Sequence, residues 1–477
     1  MDLRKKTIKG IFWSFLSQGG KQVSQIIIIT ILARLLSPDD FGTLAMVLVF
    51  TNFAMIFSEM GMIGALVQKT DTRDRHYHSA FWLNIIVGIG LTLIFMVSSP
   101  LIAWFYKKPE LKPILFIVSF NFIFSSFTIV QQAILTKEMD FKSLAIRDII
   151  SMILGGIVGI IMAYHGFGVW SLVYQLIVTT LMNACLLWVL SSWRPKFEFA
   201  MADIKDIFNF SANVTGFNVL NYFSRNLDQL LIGKFLGPIA LGYYSLAYKI
   251  MLYPLQNISW VIIKVMFPAF SKIQDNIREM RLNYLKMIKA ISLVTFPLMA
   301  WLFCVAPEIV HIFIGDKWKP VIILIRIFCF CGVAQSIGTT AGTIYLAKGK
   351  VDLQLKLQIL GTLNVIIAIF IGLKYGIIGV SLAYTIQAVL WVLINMGIVL
   401  KLITAPWGGL KSTLLSATKL FTALIVLLSI ARLVLTTTPT ILFSIMTILS
   451  VLIYFGFLFM LKEFYFEGKG LKVAFLK

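Results

Sequence analysis

The sequence predicts an all-α integral membrane protein of about fourteen transmembrane helices, arranged as two six-helix parallel-repeat bundles plus two C-terminal helices. Three observations carry that prediction. The 477 residues are 59% hydrophobic and only 13% charged, with a mean hydropathy of +0.90, a balance foreign to a water-soluble chain built around one apolar core. Apolar runs of roughly twenty residues recur from end to end, each long enough for a helix to cross a hydrocarbon layer of about 30 Å. Finally, "ARLLSPDDFG" starting at Ala33 is echoed by "GKFLGPIALG" starting at Gly233, which sets Lys234 on Arg34, Leu236 on Leu36, Pro238 on Pro38 and Gly242 on Gly42 without a gap.

In chain order the spans read 11 to 33, 42 to 67, 79 to 104, 113 to 135, 145 to 164, 168 to 190, 209 to 236, 241 to 267, 287 to 314, 320 to 346, 353 to 373, 377 to 400, 413 to 435 and 440 to 461. Their uninterrupted apolar character excludes a barrel, whose strands would alternate polar and apolar residues. The first run carries Gln18, Lys21 and Gln25 and lacks an A-x-A site, so it reads as a retained helix rather than a signal peptide. An even number of spans puts both termini on one side. The termini and the alternate loops that begin with "MDLRKKTIKG" hold roughly three times the Lys and Arg of the other loops, which predicts cytoplasmic termini. Topology and anionic headgroups also account for the net charge of +21, so no nucleic-acid partner is expected. Cys185, Cys304, Cys329 and Cys331 all fall inside spans and suggest neither a disulfide framework nor a metal site.

The duplication extends beyond its first signature. "KPILFI" at 112 to 117 resembles "KPVIIL" at 319 to 324, and Gly166, Ser171, Leu172 and Tyr174 recur as Gly376, Ser381, Leu382 and Tyr384. Six spans per repeat make the second half enter the membrane from the same side as the first, the plan of transporters that rock one parallel repeat against another. The expected domains are 1–193, a cytoplasmic interfacial linker at 194–208 read as an amphipathic helix, 209–401, and 402–477 with the two added helices and a cytoplasmic tail. The paired Pro38 and Pro238 loops each join the first two helices of a half, where proline ends one helix and glycine permits tight entry into the next.

Polar side chains within the spans are the candidate functional residues, because an ionisable group at mid-bilayer costs about 3 kcal/mol on insertion scales and needs a cavity or a partner. Ser14, Gln18, Lys21 and Gln25 share one face of the first helix, and Lys21, near its middle, reads as an unpaired cation facing a cavity. The matching seventh helix carries Asn218, Asn221, Arg225 and Asp228; a cavity role for Arg225 and mutual neutralisation with Asp228 both stand. Lys249, Tyr253, Gln256 and Trp260 align on the eighth helix beside a kink expected at Pro254. Arg326, Ser336 and Thr340 mark the tenth helix, and Asn121, Ser125, Thr128 and Gln132 the fourth. Arg326 lies close enough to the outer end to snorkel instead, and Lys264 is expected to snorkel at the inner end. Glu59 and Asp228 are the carboxylates placed for ion coupling, with pairing to a lysine as the alternative for Glu59. Gly155, Gly156 and Gly159 read as close helix packing, and "HYH" at 76–78 as a solvated inner loop.

No G-x-x-x-x-G-K-[ST] occurs, so no P-loop energises this chain, and no D-x-D or large outer loop suggests a membrane glycosyltransferase or polysaccharide polymerase. Fourteen spans as six plus six plus two, "KGIFWSFLSQGGKQ" near the N-terminus, the paired proline loops and "QQAILTKEMDFKSLA" after the fourth helix together resemble the polysaccharide transporters of the multidrug, oligosaccharidyl-lipid and polysaccharide exporter superfamily, nearest to the O-antigen and colanic-acid exporter branch. That resemblance implies a bacterial inner-membrane flippase for undecaprenyl-pyrophosphate-linked oligosaccharide, not an enzyme and without a cofactor, working as a monomer among membrane lipids and feeding a downstream polymerase. Lys21, Arg225, Lys249 and Arg326, interleaved with Gln18, Gln25, Asn221 and Gln256, would offer a pyrophosphate charge and a sugar hydrogen bonds. A lipid II flippase and a multidrug or cation antiporter are the alternatives within the superfamily.

Overall fold

The apolar runs fold as helices throughout the computed structural model, which describes residues 3–68, 73–435, 437–460, 464–467 and 470–473. In order they are α1 (Leu3–Leu35), α2 (Pro38–Glu59), α3 (Met62–Gln68), α4 (Asp74–Tyr106), α5 (Leu111–Ser126), α6 (Ile129–Lys137), α7 (Phe141–Tyr164), α8 (Val169–Leu190), α9 (Met201–Asn257), α10 (Ser259–Lys272), α11 (Ile277–Ile309), α12 (Val321–Gly338), α13 (Ala341–Ala347), α14 (Val351–Leu373), α15 (Gly376–Leu402), α16 (Trp407–Val434) and α17 (Pro439–Met460). A short antiparallel hairpin, β1 (Phe464–Glu467) and β2 (Gly470–Val473), follows in the expected tail. Among the described residues twelve helical stretches are long and apolar enough to cross a membrane. The other two expected spans lie in α1 and in the first limb of α9, which breaks at Gly237 (φ 82°) ahead of Pro238. The chain is an all-α, multi-pass membrane protein.

Four expected spans are each two helices, and the breaks fall at matching places in the two halves. The second span of each half divides at Met60–Gly61 and at Ile258, the fourth at Phe127–Thr128 and at Thr339–Thr340. Local chemistry explains them. Met60 and Gly61 are left-handed (φ 44° and 63°), Ile258 follows Pro254 by one turn, and the fourth-span breaks are bracketed by hydroxyls that bond back to their own helix. Thr128 Oγ1 donates to Ser125 O at 2.6 Å, Thr339 Oγ1 to Gln335 O at 3.0 Å and Thr340 Oγ1 to Ile337 O at 2.6 Å. In each half the two short pieces then pack together, α3 on α6 and α10 on α13.

The chain forms two compact units, Met1–Gly242 and Tyr243–Lys477. The boundary expected at 194–208 remains our proposal for where one sequence repeat hands over to the next. In the first unit, small residues bring α1, α7 and α8 together: Ile28 of α1 fills the space over Gly156, and Gly155 and Gly159 let α7 press against Gln175 and Thr179 of α8. Such contact holds helices that gain nothing from the hydrophobic effect in lipid. In the second unit, α11 is the central post. Leu420, Leu424 and Leu428 of α16 and Met446 of α17 pack on its Ala300, Cys304 and Val305.

Two local expectations are corrected. Residues 191–200 are not an amphipathic helix; they run as an extended strap, and helix begins only at Met201. The strap is pinned by aromatic stacking that periodicity cannot show, Trp193 on His78 (centroids 5.3 Å) and Phe197 on Trp82 (4.8 Å), with Trp82 Nε1 donating to Lys196 O at 2.8 Å. Nor are His76 and His78 in a solvated loop. They are buried in the first five residues of α4, where His76 Nδ1 accepts from Arg73 N and His78 Nδ1 from Lys196 N.

Candidate functional site

Within the first unit, α1 packs on α7 and sets Lys21 against it. Lys21, 18 residues along α1, forms an ion pair with Asp148 of α7, so the expectation of a lysine without an acidic partner is overturned: the carboxylate lies across a helix interface rather than along the helix. Asp148 is shared. Arg147 donates to it through Nε at 2.9 Å and reaches Gln132 Oε1 of α6 with Nη1 at 3.1 Å. Two cations therefore share one carboxylate, leaving a net charge of +1 among apolar helices. Arg147 is buried at 8% exposure, whereas the Lys21 side chain retains 33%, so the arginine and the aspartate form the fixed base and the lysine is the surplus charge at its edge. Gln25 is half-buried and Gln18 exposed on the same helix. The side chains of Ser14 and Lys264 lie outside the described ones.

The first limb of α9 also belongs to this unit. Arg225 is exposed and donates through Nε to Asn221 Oδ1 at 3.2 Å, while Asp228 is buried with its carboxylate accepting from the backbone N–H of Gln229 at 2.8 Å. Tyr222 fixes the limb to α2 by donating to Val49 O at 2.6 Å. Glu59 is exposed at the last residue of α2, directly before the left-handed break.

The repeated loops meet. A Cβ added to Gly42 would land on the carbonyl oxygen of Pro238 and 2.9 Å from Gly242 N; one added to Gly242 would land on the carbonyl oxygen of Pro38 and 3.2 Å from Gly42 N. Each glycine thus sits against the proline carbonyl of the other copy, a reciprocal crossing that admits no side chain. Ser37 and Asp40 close a capping box at the start of α2, Lys108 binds Asp39 at 3.0 Å and Thr43 Oγ1 at 2.8 Å, and Lys234 donates to Phe105 O while lying over its ring. The proline loops noticed in the sequence are consequently a close backbone approach that leaves no room for a side chain at either glycine.

In the second unit, Lys249 is exposed and Gln256 half-buried on one helix. The hydroxyls expected to line a polar stripe serve packing: Thr340 Oγ1 pairs with Tyr284 Oη at 2.9 Å. Arg326 donates through Nε to Phe303 O at 3.3 Å and lies over the Phe303 ring, close to an ion pair between Arg432 of α16 and Glu308 of α11. Sequence reasoning passed over Asp148, Arg147, Glu308 and Arg432. "IRDII", "APEIV" and "SIARLV" each hold a charge inside an apolar run, which was the available signal. Among the described residues no group of three His, Cys, Asp or Glu is placed to hold a metal ion.

The chain has relatives among known proteins. The chain is 28% identical over 408 residues to the lipopolysaccharide biosynthesis protein WzxC of Escherichia coli K12, covering 84% of this chain and 82% of that one. It is 29% identical over 353 residues to the teichuronic acid biosynthesis protein TuaB of Bacillus subtilis, covering 74% and 73%. Its fold matches the lipid II flippase MurJ in an inward closed conformation, with a TM-score of 0.76 and 16% identity over 94% of this chain and 98% of that one. A family model described as "Polysaccharide biosynthesis protein" matches residues 31–323, and the chain belongs to that family.

Proposed function

We propose that this chain is a flippase that carries undecaprenyl-pyrophosphate-linked oligosaccharide across the bacterial inner membrane by alternating access, both termini being cytoplasmic. The observation that carries the reading is the surplus positive charge held at mid-helix by the Lys21–Asp148–Arg147 cluster. A cation kept inside an apolar bundle and neutralised only in part is an attractor for an anion, and a pyrophosphate supplies two charges and several acceptor oxygens. Arg225 of the first unit and Lys249 of the second are our further candidate cations, and Gln18, Gln25, Asn221 and Gln256 our candidates for hydrogen bonds to sugar hydroxyls. The family and the names of the two relatives, both biosynthesis proteins for surface polysaccharides, support the same substrate class. No bond is made or broken in this scheme, so the protein is a transporter rather than an enzyme, acting as a monomer and passing its cargo to a polymerase.

The reciprocal Gly42–Gly242 crossing is the natural closing point at its end of the pathway, and Glu59 and Asp228 are our candidates for ion coupling. The fold likeness to MurJ gives a second reading, lipid II as cargo. Reconstitution into liposomes with fluorescent undecaprenyl-pyrophosphate oligosaccharide, and in parallel with fluorescent lipid II, tests both. We expect the oligosaccharide lipid to become accessible from the opposite leaflet. Transport of lipid II alone would transfer the assignment to the second reading, and a response to an imposed proton or sodium gradient would identify the coupling.

A further inference from the structure

Away from the cluster on α1 and α7, the second unit holds another built cationic site. A cavity of about 200 Å³ is lined by Phe303, Cys304, Arg326, Ser429, Arg432 and Met446. Its walls come from α11, α12, α16 and α17, so it exists only because the two added C-terminal helices pack on α11. Glu308 lies six residues before the end of the helical stretch that a π turn carries from α11 on to Ile314, Arg432 is the third residue from the end of α16, and Arg326 is five residues into α12. At about 1.5 Å per residue these groups lie within about 9 Å of the helix ends, near the depth at which lipid headgroups meet acyl chains.

Two guanidinium groups and one carboxylate leave a net charge of +1. Arg432 is neutralised by Glu308. Arg326 has a backbone carbonyl and an aromatic ring as neighbours and no carboxylate partner among the described residues, so its remaining N–H groups are an anion site in want of an anion. The second carboxylate oxygen of Glu308, Oε2, is buried without a hydrogen-bond partner among the described residues, and a buried acceptor of this kind calls for a donor. Leu433, beside Arg432, is 82% exposed and Phe303 and Met446 are apolar, a wall suited to acyl chain rather than to free aqueous phosphate.

We infer that this cavity binds the phosphate of a membrane lipid, its oxygens on Arg326 and Arg432 and a hydroxyl of its headgroup donating to Glu308. The shared chemistry is a lipid phosphodiester or pyrophosphate with a hydroxyl-bearing head, supplied either by a phospholipid such as phosphatidylglycerol or by a polyprenyl phosphate. The cavity is built wholly from the second unit, and the inference does not depend on the transport reading of Lys21 and Asp148.

The test is native mass spectrometry of the full chain released from detergent, with phosphatidylglycerol, zwitterionic phosphatidylcholine and polyprenyl phosphate as probes. Wild type should retain the anionic lipids over phosphatidylcholine. Arg326→Gln should weaken that retention about ten-fold or more, the loss expected of a charge-assisted contact. Because Arg432→Gln alone would strand Glu308, the double variant Glu308→Gln/Arg432→Gln keeps the pair neutral and should lose the selectivity as well. Displacement of phosphatidylglycerol by polyprenyl phosphate would name the polyprenyl lipid as the occupant, and resistance to displacement would name the phospholipid. Equal retention of all three probes by wild type, or unchanged anionic retention in both variants with melting temperatures intact, would overturn the inference.

Discussion

The two charge clusters have the same arithmetic and opposite characters. Lys21, Arg147 and Asp148 sum to +1, as do Arg326, Arg432 and Glu308, and both groups sit among apolar helices. In the first, Asp148 bridges both cations, and its neighbours Arg147 and Gln132 complete one another. In the second, Glu308 binds only Arg432 and keeps one oxygen without a partner among the described residues. Charge count alone does not say what a membrane-embedded cluster does; the sharing of the carboxylate decides. A bridged carboxylate makes a rigid base with one displaced cation at its edge, whereas an unshared one leaves both an anion site and an acceptor open.

The largest expected effect breaks the bridge. Asp148→Ala strands a buried arginine and a lysine together and should cost about 3–5 kcal/mol, seen as loss of folded protein in a detergent thermal-shift measurement. Glu308→Ala should cost distinctly less, because the Arg432 side chain is already 25% exposed and can swing toward the membrane face. Equal losses would erase the distinction between the clusters. An uncharged comparison comes next: Gly42→Ala and Gly242→Ala each force backbone apart at the reciprocal crossing and should cost about 1–3 kcal/mol, while Gly19→Ala, with nothing near its added Cβ, should be neutral or slightly stabilising. Smallest in stability among the charge variants is Lys21→Ala. Arg147 still neutralises Asp148, so the melting temperature should hold within about 2 °C, the shift of an edge charge worth roughly 0.5 kcal/mol, while transport is lost.

The positions of the spans were legible because hydropathy integrates over a whole helix, and the duplicated loops because Pro38, Gly42, Pro238 and Gly242 keep a gapless register that close backbone approach demands. The breaks inside four spans were not. They depend on single hydroxyls bending back on their own helix and on left-handed Met60, neither of which alters an apolar run. The polar face of Lys21 could be read from helical periodicity, but its partner Asp148 is 127 residues away and known only through the packing of α1 on α7. The strap at 191–200 was misread for a related reason: amphipathic composition suggests a helix, and the rings of Trp82 and His78 that hold it extended belong to another element.

The central claim is that surplus mid-helix positive charge receives the pyrophosphate. Its most direct measurement is the rate at which proteoliposomes bearing wild type, Lys21→Ala or Arg225→Ala expose a fluorescent undecaprenyl-pyrophosphate oligosaccharide to the opposite leaflet, at matched protein content. Loss of most of the rate in both variants, each melting like wild type, is the predicted result; wild-type rates in both would contradict it.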